Sequence, residues 1–369
     1  MSTEARDAPT DVLIVGGGIA GIEALMALAD LGGTHLRLHL VADRPTFVLP
    51  PQLLGVPWGV HPLHLDLQRL CRAFGADFTL GTVTAVDGRA HEVDTAGGEA
   101  LPYERLLLAS GGRHQLAYTS ATRTLGFSVL PHELAEDVSG SVAIVVPAGA
   151  SWTLPAYQLA LQCAGDGRDV RVITDEQDAL RAFGPGASAA VGAMLDRHGV
   201  AVETGGAPAR GATLTGLADT VVALPLMDGP SITGLTLDAD GFVPVDALMA
   251  VGGVEHVHAA GDVTDGPIKQ GGLAAQQADT AAAEIVRSCG LEAIASPYEP
   301  VLRGKLTGRE GDELYLRRAL DGIDAGNTLG DPLWQPPSAI CAWRLARWLD
   351  YNREELRPFT ADRPTGPAV

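Results

Sequence analysis

Asp11-Val12-Leu13-Ile14-Val15, followed at once by Gly16-Gly17-Gly18-Ile19-Ala20-Gly21, decides the fold of this chain. The first run is apolar from Val12 and has buried-strand length. Ile22, Leu25, Met26 and Ala29 then recur at helical spacing. Strand, glycine turn and helix in that order are the context that a G-x-G-x-x-G match requires. Gly16 permits a tight turn, Gly18 lets the backbone approach a pyrophosphate, and Gly21 lets helix and strand pack closely. The open amides at Ile19 and Ala20, with the positive end of the helix dipole, suit an anion.

The turn needs a second strand that delivers an acid. Leu36-Arg37-Leu38-His39-Leu40-Val41 is that strand, and Ala42 and Asp43 follow it. Asp43 lies about twenty residues beyond Gly21, close to the spacing at which a carboxylate accepts from an adenosine ribose hydroxyl. Pro45, Pro50, Pro51, Pro57 and Pro62 mark a stiff, irregular loop in which Pro50-Pro51-Gln52 is not expected to be helical. A helix is predicted from Leu65 to Phe74. A strand over 82–87, a hairpin around Gly97-Gly98 and a buried strand ending in Ala109-Ser110-Gly111-Gly112 follow.

Near residue 113 the pattern starts again. Ser141 to Val146 reads as a strand, Ala156 to Ala164 as a helix and Val170 to Thr174 as a strand closed by Asp175-Glu176. The second turn differs from the first. Pro147-Ala148-Gly149-Ala150-Ser151-Trp152 keeps one glycine and puts a tryptophan where the backbone would pass a phosphate. After Thr236, Val257-His258-Ala259-Ala260-Gly261-Asp262 forms a strand ending in Gly-Asp. Lys269-Gln270-Gly271-Gly272 opens an alanine-rich helix to about Ser288. Short strands at 301–303 and 314–316 and a helix from Ala339 to about Tyr351 complete the ordered chain, and a disordered tail is expected over 358–369.

Composition narrows the function classes. The 369 residues are 46% hydrophobic and 19% charged, so a sizeable core is expected. The formal net charge of −19 repels phosphate backbones and excludes nucleic acid as the expected partner. Met1 to Thr10 carry no apolar core of signal-peptide type, and no stretch has spanning length. A cytoplasmic location is expected, with peripheral contact at the inner face of the membrane left open. Cys71, Cys163, Cys289 and Cys341 are scattered without a C-x-x-C, which argues against a structural metal site and an adjacent redox dithiol.

Gly16–Gly21, Tyr103–Gly112 and Val257–Ala278 together resemble the FAD-dependent pyridine nucleotide-disulfide oxidoreductase superfamily. The likeness is greatest to its single-flavin branch of type II NADH dehydrogenases and sulfide:quinone oxidoreductases. The resemblance implies an α/β fold with two Rossmann-like domains, the first interrupted by the second, and a small C-terminal α/β cap. It places an FAD-binding domain at 10–112 and 236–295, an NAD(P)H-binding-like domain at 113–235 and a cap at 296–357.

It also implies that Gly16, Gly18, Ile19, Ala20 and Gly21 line the FAD pyrophosphate and that Ala42 and Asp43 lie by the adenosine ribose. Val83 would meet the adenine, Ala109, Ser110 and Gly111 would approach the dinucleotide, and Gly261 and Asp262 would take the ribityl chain. Gln270 would start the helix that faces the flavin's pyrimidine edge. Lys269 falls next to that edge, where a cation would tune the flavin.

The implied function is electron transfer from NADH through FAD to a quinone or another small acceptor. A redox sensor or partner protein that has lost nicotinamide binding is the alternative. Oxidation of sulfur compounds is a weaker reading, because Trp152 stands where that branch carries a catalytic cysteine. Asp175 and Glu176 would favour NADH over NADPH if they reached a ribose. Ile340, Trp343, Leu345, Trp348 and Leu349 alternate with arginines, a pattern shared by interfacial helices and by helices that cover a domain or a dimer interface. A homodimer is left open, and Trp334 with Pro336-Pro337 is a candidate pocket wall.

Overall fold

Strand Thr10–Val15 sends alternate side chains into two different cores, as its period of two requires: Val12 and Ile14 into one, Leu13 and Val15 into the other. A strand buried on both faces reads as a continuous apolar run and belongs inside a parallel sheet. The computed structural model describes residues 10–54, 60, 62–119, 123–124, 140–320, 322, 324, 326–330, 341–352 and 356. The candidate wall at Trp334–Pro337 and the tail at 358–369 lie outside them.

The first sheet runs Val257–Ala259, Arg105–Leu108, Thr10–Val15, Leu36–Ala42, Asp77–Leu80, with every neighbouring pair parallel. Helices Ile19–Gly32 and Gly271–Ser288 pack together on one face of it. Each fully buried Ile or Leu there contributes about 1.5–3 kcal/mol. The other face is covered by the antiparallel sheet Val83–Asp87, Glu92–Thr95, Ala100–Pro102.

A second parallel sheet repeats the plan: Arg123–Thr124, Thr220–Ala223, Val142–Val146, Val170–Thr174, Val200–Glu203. In both sheets the first strand of the unit is central, the next two lie outward on one side and the fourth on the other. The chain is mixed α/β with Rossmann-like parallel sheets. Where it passes between them, Arg113–Gln115 pairs antiparallel with Leu226–Asp228.

The C-terminal segment divides between the two cores. Leu302, Leu306 and Leu316, from strands Val301–Thr307 and Glu313–Ala319, join the second core beside helix Leu154–Gly165. Helix Trp343–Tyr351 buries Leu345, Ala346 and Leu349, and Leu345 and Leu349 join the first core. Its apolar side is therefore spent inside the protein. Trp343 stays 59% exposed with the Arg347 guanidinium 3.5 Å above its ring. No helix among the described residues is long and apolar enough to cross a membrane.

Glu23, fully buried on the first helix, docks this element. Its carboxylate accepts from the backbone amides of Arg344 at 2.6 Å and Leu345 at 2.7 Å, capping the helix N-terminus. The Arg344 guanidinium then reaches Asp30 at 2.9 Å and Asp279 at 2.5 Å, tying together the two helices of the first core.

Two local expectations are corrected. Pro50–Leu53 is a one-turn helix, because prolines in the first turn lose no hydrogen bond that the helix needs. The helix predicted from Leu65 starts at Leu67. Strand His64–Asp66 precedes it, and the Asp66 carboxylate caps it by accepting from the Arg69 amide at 2.8 Å.

Candidate flavin site

Three stretches far apart in sequence meet at the carboxyl ends of three neighbouring strands. The Gly16 amide donates to the Val41 carbonyl at 2.7 Å, and the Ala109 amide donates to that of Val15 at 2.7 Å. The Ala260 amide donates to Leu108 at 2.9 Å. This end of an open α/β sheet is where such folds hold ligands.

The glycines divide into those that pack and one that does not. A Cβ on Gly16, whose φ is +114°, would lie 2.1 Å from the Ala109 carbonyl oxygen, and a Cβ on Gly21 would lie 1.8 Å from that of Gly16. Both are excluded by backbone. A Cβ on Gly17 would meet Leu67 at 2.4 Å and Ala42 at 3.0 Å, so the buried Ala42 helps to shape the turn from below. Gly18 is different: a Cβ there meets nothing within 4 Å. The first helical bond runs from the Ile22 amide to the Gly18 carbonyl. The amides of Gly18, Ile19, Ala20 and Gly21 donate to no described residue. Open space beside a row of free amides is a cradle for a diphosphate.

The Gly261-Asp262 turn is locked from behind. A Cβ on Gly261, with φ of +83°, would sit 2.9 Å from Ala20 and 3.4 Å from Ala274, so this turn touches the starts of both core helices. The Gly261 amide donates to Gln277 Oε1 at 2.8 Å, Gln277 Nε2 donates to Thr264 Oγ1 at 3.2 Å, and Thr264 Oγ1 donates to the Gly261 carbonyl at 2.8 Å. This closed ring is buried. It was missed from the sequence, where Gln277 and Thr264 carry no signal beyond lying near Gly-Asp.

Asp262 itself is half-buried and accepts a hydrogen bond from no described residue. Burial pushes its carboxyl up to about 6, against the pull of the nearby Lys269 charge. A carboxylate with no hydrogen bond from a described residue is what a ligand hydroxyl would complete.

Other candidates spread around this centre. Asp43 follows the end of its strand and is exposed, with Arg44 at 3.9 Å. Val83 is buried in the core below the sheet. Ser110 is exposed, and Gly111, with φ of +75°, has open space around it. Gln270 is occupied. Its side chain caps helix Gly271–Ser288 by accepting from Leu273 at 2.9 Å and donates to the Arg303 carbonyl at 3.2 Å. The buried Lys269 gives its ammonium to the Thr264 carbonyl and to the face of Phe242, 3.5 Å from the ring centroid.

The helix that follows Val142–Val146 opens with fewer free amides than the first. Pro155 has no N–H, the Ala156 amide is taken by the Thr153 carbonyl at 3.0 Å, and the Trp152 ring leans on Phe183 at 5.9 Å. Glu176, expected to reach a ribose, is turned inward. It accepts from Tyr157 at 2.6 Å, Thr153 at 3.2 Å and the Arg181 amide at 3.1 Å, and burial raises its carboxyl above the usual range. Asp175 stays exposed.

The cysteines do not assemble a thiol site. Cys163 is buried in the second core with its thiol pushed up to about 11 by burial. The Cys341 carbonyl lies by Gly272 at the start of the long helix. Among the described residues no group of His, Cys, Asp and Glu could hold a metal ion.

Known proteins are similar to this chain over most of its length. An NADH dehydrogenase-like protein of Mycobacterium tuberculosis is 28% identical over 294 residues, covering 69% of this chain and 72% of the relative. An oxidoreductase of Pestalotiopsis fici, ptaL, is 26% identical over 330 residues, 80% of this chain and 87% of the relative. Among solved structures, the sulfide:quinone oxidoreductase of Aquifex aeolicus superposes with a TM-score of 0.74 at 19% identity, covering 87% of this chain and 86% of that one. A ferredoxin reductase of Rhodopseudomonas palustris gives 0.66 at 18% identity, covering 85% and 83%. The family model described as pyridine nucleotide-disulphide oxidoreductase matches residues 10–283, and with the three motifs gathered at one sheet end the chain belongs to that family.

Proposed function

We propose that this protein is an FAD-dependent oxidoreductase that takes electrons from NADH and passes them to a quinone or another small acceptor. The observation that carries the FAD reading is the row of amides at Gly18–Gly21 that donate to no described residue, beside open space at Gly18 and with the Gly261-Asp262 turn packed against Ala20. In this reading residues 10–112 and 236–295 form the FAD domain, 113–235 the nicotinamide-binding-like domain and 296–357 the C-terminal cap.

Each residue has a physical task. The Gly18–Gly21 amides hold the pyrophosphate, and Asp43 accepts from the adenosine ribose. Ala42 supports the turn, and Val83 backs the adenine. Ala109–Gly111 leave clearance, Gly261 aims Asp262, and Asp262 accepts from the ribityl chain. Gln270 fixes the start of the helix whose positive end favours negative charge on the flavin. Bound FAD would supply the two-electron chemistry, and the protein supplies position and field.

NADH as donor is supported by the M. tuberculosis relatives, which are named NADH dehydrogenase-like. A small acceptor is supported by the net charge of −19, which repels acidic protein carriers. The second turn favours another reading, a flavoprotein sensor or partner without nicotinamide binding, because Pro155 has no amide to give, the Ala150 and Ala156 amides are bonded locally and Glu176 is engaged with Tyr157.

Anaerobic titration of the flavin-loaded protein with NADH, NADPH and sulfide separates the readings. Bleaching by NADH, with turnover on added quinone, is the expected result. Flavin that stays oxidised in excess NADH and NADPH overturns the dehydrogenase reading in favour of the sensor. Bleaching by sulfide that disappears in Cys163→Ser or Cys341→Ser would instead support sulfur chemistry.

A further inference from the structure

We propose that Glu176 determines what the second domain accepts: its fixed carboxylate stands against the start of helix Leu154–Gly165 and disfavours the diphosphate of a dinucleotide there. The inference rests on the reading of 113–235 as a nicotinamide-binding-like domain, and it names the residue that sets how much NADH that domain requires.

The two copies of the plan differ at the cap of the helix that follows their first strand. In the first copy Gly18 holds this position, and a Cβ there would meet nothing within 4 Å. In the second the buried Thr153 holds it, and its side chain makes no capping bond to the helix. The Thr153 hydroxyl donates instead to Glu176 Oε1 at 3.2 Å, which sets a carboxylate beside the helix start. The place left open for an anion in one copy therefore has a built-in anion next to it in the other.

This carboxylate is anchored. Oε1 also accepts from the Arg181 amide at 3.1 Å, and Oε2 accepts from the Tyr157 hydroxyl at 2.6 Å and from Thr174 Oγ1 at 3.4 Å. Tyr157 and Thr174 are fully buried, so turning Glu176 outward would strand the Tyr157 hydroxyl in the core. Asp43, the acid after the second strand of the first copy, is by contrast exposed, with Arg44 at 3.9 Å. No described residue forms an ion pair with Glu176, and the exposed Asp175 beside it adds a second negative charge. A phosphate brought to this helix start meets uncompensated negative charge, whereas neutral adenosine does not.

Titrating the FAD-loaded protein at pH 8 with adenosine, ADP and NAD+ tests this, with the first site already filled. Glu176→Gln should bind ADP and NAD+ about tenfold more tightly than wild type, while adenosine stays within about twofold. The KM for NADH should fall by a similar factor with kcat unchanged. Unchanged or weaker ADP binding in the variant, the latter being the mark of a carboxylate that serves a ribose, overturns the inference. So does an equal gain for adenosine, which would show loosening rather than loss of charge, and so does absence of binding throughout. If Glu176→Gln does not fold, wild type decides: adenosine bound more tightly than ADP supports the inference, and any other order, or no binding of either, overturns it. Flavin that NADH does not bleach overturns the dehydrogenase reading, while the ADP titrations still decide this one.

Discussion

The two turns that follow Thr10–Val15 and Val142–Val146 occupy the same place in two copies of one plan, yet the helices they open differ in the amides they leave free. At the first, Gly18 leaves free space and four amides donate to no described residue. At the second, Pro155 removes a donor, Thr153 occupies the next amide, and Glu176 spends its oxygens on Tyr157, Thr153 and the Arg181 amide. The contrast shows that a repeated topology need not repeat a binding site. The strands and helices are set by apolar periodicity, whereas the cradle depends on a few backbone groups left unsatisfied.

Substitutions at the glycines should break this comparison most sharply. Gly21→Val drives a side chain into the Gly16 carbonyl and should cost about 3 kcal/mol or more in unfolding free energy, with flavin lost. Gly149→Ala at the second turn meets only Leu226 at 3.9 Å. Its φ of +83° sets a cost of about 1 kcal/mol. Chemical denaturation of both variants measures the difference.

The next effect is a pH dependence built into the first helix. Burial holds the folded Glu23 carboxyl up at about 7, against 4.5 when exposed, so the folded state binds its proton more tightly. The stabilising share is complete below the unfolded value and is lost as pH rises through about 7, on the order of 3 kcal/mol. Urea melts at pH 5 and pH 8 should show this loss, and Glu23→Gln should flatten it.

At the second turn, Glu176→Gln should weaken the buried network by about 1–2 kcal/mol while FAD affinity stays unchanged. A fall in FAD affinity would mean that the two turns are coupled. Asp43→Asn should have the smallest effect, about a threefold loss of FAD affinity read by titration, because an exposed carboxylate competes with water.

Much of this was legible in the residues. The apolar run at Val12–Val15 and the helical spacing from Ile22 to Ala29 gave the first unit, and the same logic gave the second. The three motifs were readable because glycines and a Gly-Asp pair are unusual at strand ends. Partner choice was not readable. Nothing in the sequence said that Glu176 would turn inward to Tyr157, that Glu23 would cap a helix more than three hundred residues away, or that Gln277 would close a ring on Gly261. Local rules also misled at Pro50-Pro51, where position within the helix decides whether proline is tolerated.

The central claim, that the first turn holds FAD, is tested most directly by titrating FAD into flavin-stripped protein alongside Gly18→Val. That side chain enters open space, so the variant should fold as wild type does. The account predicts saturable binding of about one FAD per chain in wild type and about a hundredfold weaker binding in the variant. No binding to wild type, or equal binding to both, would contradict it.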